Sequence, residues 1–177
     1  MNRSRAGALV LIAAVAGCDD GTVITHVDRL PHVTRADLFT LQEAGGLPVE
    51  VHGRPWDGAT ADELARALRP PAGGAQEVRF QSVPPGRGPG THGHRLVLHF
   101  NPTGAPNSVH DCRATAEMQT RAPAEIGFTV NATICAGDSW VAHGYLQARK
   151  VEPGDWAEYG RVLQNLFLAI FREEPDR

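Results

Sequence analysis

A long amphipathic segment near the C-terminus constrains the fold more than any other part of the sequence. Asp155 is predicted to cap a helix, with Glu158 completing a capping box. Eight large side chains then recur at helical spacing: Trp156, Tyr159, Val162, Leu163, Leu166, Phe167, Ile170 and Phe171. The polar side has few lysines or arginines, which is unlike a helix that lies on a membrane. The apolar face is therefore predicted to cover a β-sheet.

Three segments in the first two thirds of the sequence have the alternation of half-buried strands. They are residues 47–52, 77–83 and 95–101. In the third of these, Leu96, Leu98 and Phe100 are predicted to face the core, with Val97 and His99 on the opposite side.

The clearest hairpin lies further along the chain, where residues 126–135 and 140–150 flank the turn sequence 136–139. Alternation places Phe128, Val130, Ala132 and Ile134 on one face of the first arm, with Cys135 on the other. One further helical turn is predicted near Cys112.

A second helix is predicted to begin at Thr60, which forms a capping box with Glu63. It presents a narrow apolar stripe and ends before Pro70 and Pro71. The segment 36–44 is ambiguous between helix and strand. The pattern predicts an α+β fold: a mostly antiparallel sheet of four to five strands with two helices packed on one face.

The first seventeen residues have the three zones of an export signal. Arg3 and Arg5 precede an apolar run from 6 to 16, and small residues lead to Cys18. The run is too short to cross a bilayer, which takes about 20 apolar residues. The sequence Val-Ala-Gly-Cys at 15–18 resembles the lipobox of bacterial lipoproteins. That resemblance implies cleavage before Cys18 and attachment of acyl chains, such as palmitate, to its thiol. An ordinary secretory signal is the alternative.

Three regions follow from this prediction: a signal peptide at 1–17, a lipidated N-terminus and tether at 18–35, and a single globular domain at 36–177. Val23–Val27 is an alternative short strand within the tether. The domain is expected at the periplasmic face of a cell membrane. In enteric bacteria an aspartate after the lipidated cysteine resembles an inner-membrane retention signal, so Asp19 and Asp20 favour the inner over the outer membrane.

The net charge of the mature chain narrows the possible classes of partner. Cutting before Cys18 removes 17 of 177 residues, including two arginines, and leaves 15 basic against 20 acidic residues. A net charge of about −5 argues against nucleic acid as a partner.

With Cys18 assigned to lipid, Cys112 and Cys135 are predicted to form one disulfide in an oxidising compartment. A metal thiolate pair and a redox couple are the alternatives, but the close spacing typical of both is absent.

Two stretches of this sequence, 46–53 and 95–102, resemble a group of small, uncharacterised proteobacterial lipoproteins. The later cysteine pair and the amphipathic terminal helix add to the likeness. The resemblance implies a fold and a location, and it supplies no activity because none is established for that group.

Histidines provide the one cluster that suggests metal chemistry. His92 and His94 are two residues apart, with His99 and His110 downstream, and imidazole pairs at this spacing bind zinc or copper. No acidic or thiolate ligand is evident beside them, so a periplasmic module that binds a metal or a small ligand through the His92 and His94 region is the alternative hypothesis.

Catalytic motifs are missing from the sequence, since it has neither Gly-x-Ser-x-Gly nor a free activated cysteine. Ser108, His110 and Asp111 are neighbours in sequence, which counts for little because triads are assembled from separate segments. No enzymatic activity and no cofactor are predicted.

The leading hypothesis is a non-enzymatic module that binds an envelope protein or stabilises an assembly. A surface formed by Trp56, Trp140, His52 and His143 on an uncovered sheet face is one way to do so, and core packing of these side chains is the alternative.

Overall fold

The computed structural model describes residues 21–31, 46–70, 78–85, 93–114 and 116–171. Cys18, His92 and the segment 36–44 lie outside these ranges. In chain order the elements are β1 (Thr22–Arg29), β2 (Leu47–His52), α1 (Ala61–Ala67), β3 (Phe80–Val83), β4 (His94–Phe100), α2 (Ser108–Arg113), β5 (Phe128–Ala136), β6 (Ser139–Ala148) and α3 (Trp156–Ile170).

The strands form one mixed sheet in the order β1-β6-β5-β4-β2-β3. Neighbours from β1 to β4 run antiparallel, whereas β2 is parallel to both β4 and β3. The α+β class is confirmed. The finer prediction was incomplete, because the described residues contain six strands and three helices. The connection from β2 through α1 to β3 is a crossover that returns the chain in the same direction, as parallel strands require.

The outermost strand β1 corrects the predicted tether. It pairs with β6 from Thr22 opposite Ala148 to Arg29 opposite Ala142, so this part of 18–35 belongs to the sheet. The register shifts between Thr25 and Asp28, and His26 has a positive φ of 51°. A bulge of this kind breaks the side-chain alternation, which explains why the sequence shows no sustained period here.

Helices α1 and α3 cover one face of the sheet, as the sequence predicts. The predicted inward side chains of β4 and β5 all belong to this core, together with most of the apolar face of α3. Both caps are also confirmed: Thr60 and Glu63 form the capping box of α1, and Asp155 accepts a hydrogen bond from the Glu158 amide. No helix within the described ranges is long and apolar enough to cross a membrane.

The third helix, α2, lies on the opposite face of the sheet. Cys112 of α2 packs in a separate small core with Val97 and Cys135, and Trp140 lies against it. This face, which we call the back face, therefore has a cover of its own, formed by α2, Ala114 and residues 116–120.

Tyr159 in α3 supports a prediction about stability. Its ring is fully buried against Trp56 and Phe128, and its hydroxyl has no hydrogen-bond partner among the described residues. Burial raises the pKa of this phenol far above its ordinary value. Replacing Tyr159 with phenylalanine is expected to raise the free energy of unfolding by about 1 kcal/mol, because it removes an unsatisfied polar group. Urea denaturation at neutral pH measures the change.

The matched variant Tyr159→Leu loses the ring contacts and is expected to destabilise the fold by about 2 kcal/mol. A clear loss of stability in Tyr159→Phe would show that the hydroxyl has a favourable partner.

Candidate functional site

The back face of the sheet carries a buried layer of polar side chains. Strand alternation that sends the apolar residues of β2, β4 and β5 toward α1 and α3 sends the intervening polar residues to the back. We call six of them, together with Asp111 of α2, the polar layer: Glu50, His52, Arg95, His99, Asp111, Asn131 and Thr133. Each is less than 9% exposed. Burying a polar side chain costs free energy unless it is hydrogen-bonded or ion-paired. The partners of these seven side chains therefore indicate their role.

Glu50 and Arg95 form a buried ion pair across β2 and β4. The Arg95 Nε donates to Glu50 Oε2 at 3.0 Å, and the two side chains are 5% and 0% exposed. The other two guanidinium nitrogens donate to the carbonyl oxygens of Gly137 at 2.7 Å and Cys112 at 2.6 Å. Arg95 thus connects β2, the β5–β6 turn and the end of α2 through a single planar group.

The imidazole of His52 is held as one neutral tautomer by its neighbours. Its Nδ1 accepts a hydrogen bond from the Met118 amide at 3.1 Å, so this nitrogen carries no proton. The Nε2 proton is then donated to Glu50 Oε1 at 3.0 Å. Both ring nitrogens are therefore hydrogen-bonded, and His52 links the segment 116–120 to the sheet.

Asp111 and His99 form the second half of the polar layer. Asp111 Oδ1 lies 3.4 Å from His99 Nδ1, while Oδ2 accepts from the Thr133 hydroxyl at 2.9 Å and from the Asn131 amide. His99 Nε2 lies 3.2 Å from the carbonyl oxygen of Gln119. Both His99 nitrogens therefore face oxygen atoms of neighbouring groups, which sets the orientation of the ring.

A cleft of about 570 Å³ opens beside this pair. One wall is the turn 102–107, the other is formed by residues 113–114 and 116–119, and His99 and Asp111 lie in the lining of the cleft. Exposed His110, Arg113 and Glu117 also line it. Its volume is within the range of about 300–1,000 Å³ found for small-molecule sites.

The predicted disulfide is present and supports one wall of the cleft. Cys112 and Cys135 are bonded, and both are fully buried. The bridge fastens α2 to the back of β5, in the middle of the sheet, and Asp111 adds a second attachment one residue earlier.

The histidines predicted as metal ligands are not brought together where the structure describes them. His94 and His99 are five positions apart on β4, so their side chains project from opposite faces of the sheet. Burial lowers the pKa of His94. Among the described residues there is no group of three His, Cys, Asp or Glu side chains that is arranged to hold a metal.

The four aromatic residues predicted for one sheet face are divided between two. Trp56 lies in the core with α3, 5.0 Å from the ring centroid of Trp156, because the turn after β2 folds toward the helices. His52, Trp140 and His143 belong to the back face, with His143 opposite Thr133.

His143 has a lowered pKa that follows from its surroundings. Burial is the main cause, and it is opposed by Asp28 and Asp111. The ring packs edge-on against Trp140 at 5.1 Å.

Most of the polar layer was missed by sequence reasoning. Glu50, Arg95, Asn131 and Thr133 stand at outward positions of strands, where a polar residue ordinarily indicates solvent. The available signal was the position of Asn131 and Thr133, which lie in the middle of β5 on the same face as Cys135.

Scans against protein-family models, curated proteins and solved structures find no match for this chain. Its function is therefore inferred from the contacts, burial and charges of the polar layer and from the signals in its sequence.

Proposed function

We propose that this chain is an exported lipoprotein, cut before Cys18 and held at the periplasmic face of a membrane by lipid on that cysteine. The three-zone leader and the lipobox-like residues 15–18 are the sequence signals that support this location. The bond between Cys112 and Cys135 adds support, because structural disulfides persist in oxidising compartments.

The folded domain acts in this proposal as a non-enzymatic binding module, and the observation that carries it is the rigid support of the cleft. The α2 wall is held by the disulfide and by Asp111. The same wall, which continues from α2 into residues 116–119, is also held where Met118 bonds to His52 and Gln119 to His99. Walls fixed by buried contacts lose little freedom when a partner binds, which favours affinity.

The same contacts argue against a catalytic role for the two buried histidines. The nitrogens of His52 are bonded to Glu50 and the Met118 amide, and those of His99 face Asp111 and the Gln119 carbonyl. A general base needs a nitrogen within hydrogen-bond reach of the group it deprotonates. On α2, Ser108 is half-buried and His110 is exposed, while Asp111 is buried.

The partner in this proposal is an envelope protein that inserts polar side chains between the two walls. Capture from solubilised membranes tests it, with wild type compared with Arg113→Ala/Glu117→Ala, two exposed cleft residues. The matched control Arg66→Ala/Glu152→Ala removes the same two charges elsewhere. We expect one partner to be captured by wild type and control and at least tenfold less by the cleft variant. Absence of a specific partner, or equal capture by both variants, overturns the proposal.

Cys18→Ser tests the anchor itself. This variant is expected to leave the membrane fraction, because a stable attachment needs two or more acyl chains and the variant has none. Mass spectrometry of the native protein is expected to show an acylated N-terminal cysteine. An unmodified terminus, or membrane retention of the variant, would contradict the anchor.

A small ligand in the same cleft is the second candidate, favoured by the cleft volume of about 570 Å³. Thermal-shift measurements with polar metabolites test it, since a ligand that binds only the folded domain raises its Tm. The sequence-based alternative of metal at His92 and His94 stays a prediction. Calorimetry with zinc or copper, compared with the double glutamine variant of these histidines, tests that alternative.

A further inference from the structure

The lipid anchor and the end of the sheet at which β1 begins lie very close together along the chain. Only residues 19–21 separate Cys18 from Thr22, the first residue of β1. Four residue steps span at most about 14 Å even when fully extended. If Cys18 carries lipid, as proposed above, this end of the sheet is confined to the membrane surface.

The start of β1 is hydrogen-bonded into the sheet. The limit of about 14 Å between Cys18 and Thr22 therefore restricts the position of the whole domain. Thr22 pairs with Ala148, and the Arg149 amide donates to the Gly21 carbonyl at 3.0 Å. A Cβ on Gly21 would lie 2.9 Å from a side-chain carbon of Lys150, which shows how closely the two segments pack. We call this the anchored end: the start of β1, the end of β6 and the start of β5.

The anchored end has the side chains that a bilayer surface accommodates. A groove of about 410 Å³ is lined there by Arg121, Ile126 and Arg149. Ile126 is 48% exposed, and both arginines are exposed. Guanidinium groups form paired hydrogen bonds with phosphate oxygens, and an aliphatic side chain between them is suited to the headgroup boundary. Glu125 and Glu152 are exposed in the same turns, so this surface is not a broad basic patch.

We propose that the anchored end docks on the lipid headgroups of the membrane that holds Cys18, with Arg121 and Arg149 on lipid phosphates and Ile126 at the interface. The domain then stands with β1 and β5 running away from the bilayer and the β5–β6 turn about 30 Å further out. The 102–107 wall of the cleft follows β4 at the anchored end. A protein partner of the cleft must therefore itself be bound to the membrane or reach its surface.

Site-specific quenching tests this orientation in the full-length lipidated protein. Ile126→Cys and Ser139→Cys each provide one free thiol, since Cys112 and Cys135 are bonded and Cys18 is acylated in the proposal. Each is labelled with a fluorophore in vesicles of phosphatidylethanolamine and phosphatidylglycerol that contain a headgroup-linked quencher. We expect at least threefold stronger quenching at 126 than at 139, which lies beside the distal turn.

The arginines are tested in the Ile126→Cys background. Arg121→Gln/Arg149→Gln is expected to reduce quenching at 126 at least twofold, whereas the exposed control pair Arg66→Gln/Arg69→Gln leaves it unchanged. Equal quenching at 126 and 139, or equal behaviour of the two arginine pairs, overturns the docked orientation. Mass spectrometry of the same samples separates this failure from failure of the anchor, since an unlipidated Cys18 would contradict the proposed location instead.

Discussion

Replacing Arg95 with methionine is expected to lower the free energy of unfolding by about 3–5 kcal/mol, the usual cost of removing one partner from a buried ion pair. Methionine fills a similar volume, so the loss is mainly electrostatic. Glu50 would stay buried at 0% exposure without the guanidinium group that balances its charge. The carbonyls of Gly137 and Cys112 would also lose their donors. Urea denaturation of wild type and variant measures the change, provided that the two proteins have the same m-value.

An exposed pair provides the control for this prediction. Arg54 lies 3.2 Å from Asp57, and the two side chains are 53% and 84% exposed. Arg54→Met is expected to cost less than about 1 kcal/mol, because exposed ion pairs contribute little.

A double variant identifies the source of the effect. Arg95→Met with Glu50→Gln removes both charges and keeps an acceptor for His52, so part of the lost stability is expected to return. If the double variant were less stable than Arg95→Met, an uncompensated charge on Glu50 would not explain the loss.

Removing the disulfide by Cys112→Ala with Cys135→Ala is expected to cost roughly 3 kcal/mol. The bridge spans a sequence separation of 23, and cross-linking a loop of that size reduces the entropy of the unfolded chain by about this amount. Alanine is chosen because both sites are fully buried and a serine hydroxyl would need a partner there. Thermal unfolding of the oxidised protein and the variant measures the difference.

A local effect is expected to accompany the global one. Helix α2 has only six residues, too few to be stable alone, so its amides are expected to exchange faster with solvent once the bridge is removed. Reductant is expected to reproduce the loss in wild type and leave the double alanine variant unchanged. An unchanged Tm of wild type in reductant would show that the bridge does not stabilise the domain.

Local patterns in the sequence were sufficient to predict several elements. The helices α1 and α3 follow from capping residues and apolar spacing, and the β5–β6 hairpin follows from alternation around a glycine turn. The same alternation placed the core-facing residues of β4 and β5 correctly. These features depend on residues a few positions apart, which is the range over which periodicity and capping act.

The polar layer could not be predicted in this way, because its members meet only after the strands are ordered side by side. Arg95 bonds Glu50 from 45 positions away, and Met118 bonds His52 from 66 positions away. A single charged residue in a strand predicts a solvent-exposed side chain unless another element is known to cover that face of the sheet. Here the covering elements are the short α2 and residues 116–120.

The sequence by itself determined the α+β class, the faces of the central strands, the two main helices and the pairing of the cysteines, since each is encoded by local spacing or by the number of cysteines. Only the tertiary structure decided that β1 belongs to the sheet, that β2 lies parallel to β4, and that buried charges support a cleft on the back face. The physical reason is that strand order and register depend on contacts between distant segments, and these contacts decide whether a polar side chain meets water or a partner.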